Sequence, residues 1–221
     1  MSSFFLIPLA LTLKVAGSAT VAAFLSAVPF AFLVSKRRLP FKRGIDSLCT
    51  LPMVLPPTVM GYYLLLLLGR NGPLGRPLDE TFGVRLVFTW QGAAVAAAVA
   101  AFPLIYRSAR AGFEGVNVHI EEAARDLGAS ELRVFWNVSL PMANRGIVAG
   151  CMLAFARAMG EFGATMMLAG NLPGKTQTLS LAIYTATQAG NSAAAFQLTL
   201  FTSVVCTTLL WGAEHFLKRP F

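Results

Sequence analysis

The chain has 221 residues, of which 56% are hydrophobic and 13% charged, and its mean hydropathy is +0.64. A soluble domain carries roughly twice that charged fraction, so a water-soluble globular fold is excluded as the main architecture. Eighteen Lys and Arg against ten Asp and Glu leave a net charge of +8. The basic residues bunch between apolar blocks, which makes the charge an orientation signal before it is a sign of nucleic-acid or lipid binding.

A helix that crosses a bilayer needs about 20 apolar residues. Five blocks qualify, at residues 11–34, 47–69, 88–106, 146–169 and 193–217. They predict an all-α polytopic bundle of about five spans, in one domain covering residues 1–221. No basic residue precedes Phe4 and Lys14 interrupts the first apolar run, so the first block reads as a retained span and not a cleaved leader. The connection after it carries Lys36, Arg37, Arg38, Lys42 and Arg43.

The second block contains Pro52, Pro56, Pro57 and Gly61. Proline removes a backbone donor and clashes with the preceding turn, so this span is expected to kink or break. Backbone freed at membrane depth is tolerated only beside protein or water. Pro56, Pro57 and Gly61 are therefore candidate pathway or gating residues, with a packing kink free of solute contact as an equal alternative. The next connection has only Arg70 and Arg76, with Arg85 at its edge, and the fourth has only Lys175. The third, by contrast, carries Arg107, Arg110, Arg125, Arg133 and Arg145, and the tail ends with Lys218 and Arg219. This asymmetry places connections one and three and the C-terminus in the cytoplasm and the N-terminus outside.

Residues 107–145 form a connection too long to lack structure of its own. Asn117 can cap a helix by accepting from a first-turn amide. Ile120, Ala123, Ala124 and Leu127 recur as one apolar stripe, Glu121 and Arg125 are spaced for an ion pair on the polar side, and Gly128 suits the left-handed residue that ends a helix. A second short helix can begin at Ser130, with Leu132, Phe135 and Trp136 on one face, and Pro141 stops it or starts the next span. The segment reads as a helix–turn–helix along the membrane surface with alanines on an exposed ridge, suited to a groove on a partner. Glu122 offers that partner a charge to pair with. Residues 119–127 carry more acid than base, the wrong sign for anchoring to anionic lipid or for binding DNA.

In the fourth block Arg157 and Glu161 are four residues apart and can neutralise each other on one helical face, an arrangement that favours a structural or gating pair over a direct solute ligand. Gly160 and Gly163 would allow close helix contacts, including contacts across a dimer. Cys49, Cys151 and Cys206 lie inside the blocks at spacings that fit no zinc site and read as packing residues. His119 and His215 are isolated and point to no metal or catalytic centre. The phosphate-binding pattern G-x-x-x-x-G-K-S/T is absent from the sequence, so the chain is not expected to hydrolyse ATP or act as an enzyme.

Glu122-Ala123-Ala124, Gly128, and Val138-Ser139-Leu140-Pro141 together resemble the signature of ABC importer permeases, one departure being Val138, where the broader pattern often has isoleucine. The similarity extends to molybdate ABC transporter permeases through Leu51-Pro52-Met53-Val54-Leu55-Pro56-Pro57-Thr58-Val59-Met60-Gly61-Tyr62, through Gly69-Arg70 with Gly72 and Gly75, through Phe155–Thr165 and through Asn171–Thr176. It covers residues from about 12 to 215, and sulfate permeases share part of the Phe155–Thr165 motif. The resemblance implies a type I importer permease fold for molybdate, or alternatively tungstate or sulfate. It assigns ATPase coupling, over residues 117–141, to Glu122, Ala123, Ala124, Gly128, Val138, Leu140 and Pro141, and draws Thr165 into the pathway region with Arg157 and Glu161. It further implies a homodimer, two cytoplasmic ATPase subunits that use ATP and Mg2+, an extracytoplasmic oxyanion-binding protein, and a bacterial-type cell (inner) membrane location. An ion-coupled secondary transporter and a membrane scaffold are the competing expectations.

Overall fold

The computed structural model describes residues 2–36 and 41–217. Arg37, Arg38, Lys218 and Arg219 lie outside the described residues, as does the side chain of His215. The helices in chain order are α1 (Ser2–Lys36), α2 (Lys42–Val54), α3 (Pro57–Leu68), α4 (Gly75–Phe82), α5 (Trp90–Glu114), α6 (Val118–Asp126), α7 (Glu131–Val134), α8 (Leu140–Met159), α9 (Gly163–Ala169), α10 (Leu179–Gln188) and α11 (Ser192–Leu217), with a π-helical stretch at Phe135–Ser139 joining α7 to α8. By length and apolar character, α1, α5, the run Glu131–Met159 and α11 can each cross a membrane, and α2 with α3 make a fifth, bent crossing.

The core is an alanine seam. Ala16, Ala19, Ala23, Ala27 and Ala31 of α1 are fully buried, as are Ala93, Ala97, Ala101 and Ala109 of α5. Within a bilayer there is no hydrophobic force to drive apolar helices together, so close backbone approach through small residues supplies the packing. α5 starts where Thr89 Oγ1 accepts from Gly92 N at 3.2 Å, an ordinary N-cap. α8 closes this core against α1 and α5. α10 and α11 join the far end of α1 through Leu179, Ala182 and Leu198, and there Leu179 N donates to Thr12 Oγ1 at 2.9 Å.

The expected break in the second span is present: α2 and α3 meet at an angle of 110°. Leu55 and Pro56 are extended, with ψ of 138° and 136°, because a residue followed by proline is pushed out of the helical region.

Two boundaries differ from expectation. The fourth span does not run continuously to residue 169. Its helix covers Glu131–Met159 and breaks at Gly160, where the low helix propensity of glycine and the burial of Glu161 favour a cap over another turn. Arg157 therefore lies in the last turn of α8 and not midway along a span, a position where the helix dipole favours a cation. The third connection is also shorter than it reads, because α5 continues to Glu114 and carries Arg107 and Arg110 on its last turns. Tyr106 Oη donates to Asp46 at 2.6 Å, Arg110 pairs with Asp46 and with Glu114, and Lys42 Nζ lies 3.3 Å from Glu114. These paired charges tie α2 to α5.

Candidate coupling and pathway sites

α6 begins where Asn117 Oδ1 accepts from His119 N at 3.0 Å and ends before Gly128, whose φ of 83° only glycine adopts without strain. Between these ends the helix is amphipathic with its faces exchanged. Ile120, Ala123 and Leu127 face solvent, Leu127 with 89% of its surface free. Glu122 is exposed beside them, its Oε2 3.3 Å from His119 Nδ1. Leu132 and Trp136 extend this exposed surface. A helix that shows leucine to solvent and hides an acid is built to meet something else.

The hidden acid is Glu121, which is 1% exposed. The expected Glu121–Arg125 pair does not form. Arg125 turns to Glu131, with Nε 2.6 Å from Oε1, and this bond raises its pKa further above the physiological range. Glu121 Oε1 instead receives Lys36 Nζ at 2.9 Å and Ser139 Oγ at 2.7 Å. Phe135 also departs from Leu132 and Trp136: it turns inward, its ring 4.7 Å from Phe32 and 6.2 Å from Phe113. The π-helical stretch begins at Phe135 and is closed by Leu140 N donating to Phe135 O; its wider turn shifts the helical phase of the residues that follow. Pro141 falls at the junction of the π-helical stretch and α8, inside the continuous run Glu131–Met159, so it neither stops the helix nor starts a separate one. Val138 and Leu140 are half-buried beneath the segment, whereas Pro141 is exposed.

The second group of candidates also comes together. α3 packs on α9, so the two helices that follow the two breaks lie against each other. A Cβ added to Gly61 would meet Ala164 Cα and Met167 Cβ at 2.8 Å, and one added to Gly163 would meet Pro57 Cβ at 2.7 Å. Gly163 therefore makes its close approach within the chain, while Gly160 is exposed with no neighbour outside its own helix near that position. At the break, Arg157 Nη1 donates to Glu161 Oε2 at 2.7 Å and Ala164 N donates to Glu161 Oε1 at 2.9 Å. One buried carboxylate thus closes α8 electrostatically and caps α9. Thr165 is buried, and its hydroxyl has no hydrogen-bond partner among the described residues. Pro56 stays exposed at the bend.

Spacing could not reveal that Lys36 and Ser139 share Glu121, because they lie 85 and 18 residues from it. Cys49, Cys151 and Cys206 are free thiols, the first two half-buried and Cys206 exposed. Among the described residues, no group of three or more His, Cys, Asp or Glu is placed to hold a metal.

Residues 19–220 match the family described as binding-protein-dependent transport system inner membrane component. The chain is 46% identical over 187 residues to the molybdenum transport system permease protein ModB of Escherichia coli strain K12, covering 84% of this chain and 82% of that one. Its identity to the protein of the same name in Haemophilus influenzae is 40% over 210 residues, 95% of this chain and 92% of that one. Sulfate permease 2, chloroplastic, of Chlamydomonas reinhardtii is 39% identical over 82% of this chain and 49% of its own length. The fold matches a bacterial ABC transporter that imports alginate, with a TM-score of 0.77 at 16% identity over 99% of this chain and 80% of that one. It also matches the inward-facing MetNI methionine ABC transporter, with a TM-score of 0.76 at 15% identity over 97% and 95%. The chain belongs to the binding-protein-dependent transport system inner membrane components and is a multi-pass membrane permease subunit of that family.

Proposed function

We propose that the chain forms the translocation pathway of an ATP-driven molybdate importer, paired with a second copy of itself. Two cytoplasmic ATPase subunits, which bind ATP and Mg2+, dock on α6, and an extracytoplasmic molybdate-binding protein delivers the solute. The observation that carries this reading is the exchanged amphipathicity of α6: Ile120, Ala123, Leu127 and Glu122 are exposed while Glu121 is buried. Such a face fits a groove on a partner and wastes apolar surface otherwise.

The basic residues at the α6 end of the bundle support placing that end in the cytoplasm, with the N-terminus outside. ATP binding closes the ATPases and moves α6. The movement passes into α8 through the continuous run Glu131–Met159 and reaches the breaks at Pro56 and Gly160, where α3 and α9 shift together. Access then alternates between the two sides, each nucleotide state favouring one of them. Glu122 and Gly128 set the docking face and its edge, while Arg157, Glu161 and Thr165 belong to the gate and do not capture the anion, a task that falls to the binding protein.

Molybdate is favoured by the relatives at 46% and 40% identity, and sulfate is the second reading because of the relative at 39%. Uptake of labelled molybdate in cells lacking their own permease separates them, with tungstate and sulfate as competitors. Tungstate should compete at equal concentration and sulfate only at large excess; equal inhibition by sulfate at low excess overturns the molybdate assignment.

A further inference from the structure

Glu121 sits between three elements that are far apart in sequence. Its Oε1 accepts from Lys36 Nζ in the last turn of α1 and from Ser139 Oγ at the end of the π-helical stretch. Ser139 is fully buried, and Lys36 keeps only a fifth of its side chain exposed. One turn before Lys36 on α1, Phe32 meets Phe113 of α5 at 5.3 Å and Phe135 of the π-helical stretch at 4.7 Å. A polar tie and an apolar one therefore join the base of α1 to the base of α8, and only the polar tie includes α6. A surface helix needs no buried acid to stay folded, and burying a carboxylate is costly unless it is paired and bonded. The expense is justified if α6 must pull on both spans at once.

We infer that Glu121 is a positioning residue that clamps α6 to α1 and α8, so that a displacement of α6 moves both spans together. This rests on the reading of α6 as the docking element. Where Glu122 faces the partner, Glu121 faces the permease body. Without the clamp, the motion of α6 reaches α8 only through the run Glu131–Met159 while α1 lags, and ATP is hydrolysed with little transport.

The test uses the complete transporter, permease with its ATPase subunits, reconstituted in proteoliposomes with the binding protein, reading ATP hydrolysed and molybdate taken up in the same sample. In E121Q the amide oxygen still accepts from Ser139 but the charge facing Lys36 is gone, and K36M keeps the apolar stem of the lysine. Both should assemble with the ATPases and hydrolyse ATP at the unmodified rate or faster, while molybdate taken up per ATP falls about tenfold, equivalent to ~1.4 kcal/mol of lost coupling. A proportional fall of hydrolysis and uptake would show a structural role only, and unchanged uptake per ATP would show no role; either overturns the inference. Should E121Q fail to assemble, S139A, which cuts one arm of the tie and leaves Lys36 paired, decides alone by the same ratio. If the unmodified transporter shows no ATP-dependent uptake, the docking reading fails; if it transports and the variants stay coupled, only the clamp does.

Discussion

Glu121 and Glu161 are both almost wholly withdrawn from solvent, and each accepts from one cation and one further donor. Their reach differs. Glu161 binds Arg157 and Ala164, four and three residues away, and so shapes a local break between α8 and α9. Glu121 binds Lys36 and Ser139, and so joins elements that only the fold brings together. A local carboxylate bends one chain segment, whereas a long-range one makes separate segments move as a unit. The first kind lies at the break between α8 and α9, the second beneath the exposed face of α6.

The most damaging way to break the comparison is to truncate each acid. Removing one partner of a buried ion pair costs about 3–5 kcal/mol. Glu161→Ala should fall at the upper end because α9 also loses its cap. Glu121→Ala should cost about 3 kcal/mol, because no helix loses its cap there. Thermal unfolding of the purified permease in detergent ranks the two, and a larger loss at Glu121 would reverse the assignment of roles. Next comes the close approach that holds the two breaks together. Gly163→Val would drive its side chain into Pro57 and should cost ~1–3 kcal/mol by overpacking, with slower uptake; full stability would mean that α3 and α9 do not meet as described.

A smaller effect tests α6 as a folded unit. Asn117→Ala removes the cap and should cost about 1 kcal/mol, read as faster amide hydrogen exchange over residues 118–126. Smallest in stability is Leu127→Glu, on the most exposed part of α6, with a change within about 0.5 kcal/mol. Its uptake and its co-purification with the ATPase subunits should nevertheless be lost. Retention of both would remove α6 from the docking surface.

Much of this was legible in the sequence wherever the cause was local. Pro56 and Pro57 announced a break because ring geometry alone enforces it, Asn117 and Gly128 marked both ends of α6 because caps and left-handed turns are local, and Arg157 found Glu161 because four residues separate them. The Glu121–Arg125 reading failed for an instructive reason. Helical spacing made it possible, but Glu131 and Lys36, brought near by folding, offered each group a better partner. The exposed ridge expected at the alanines is present at Ala123, between the exposed Ile120 and Leu127, whereas Ala124 is half-buried; what periodicity did not reveal is the burial of Glu121 beneath it. The π-helical stretch and the stop of α8 at Met159 were hidden as well, because both depend on the packing of Ser139 and Glu161 against neighbours distant in the chain or beyond the helix.

The central claim is that this permease moves its solute only when α6 is driven by a partner ATPase. Its most direct test is labelled-molybdate uptake into proteoliposomes containing the permease, with the ATPase subunits and binding protein added singly and together. Uptake should occur only when all components and ATP are present, and not with the permease alone. Equal uptake without the ATPase subunits, driven by an ion gradient, would contradict it.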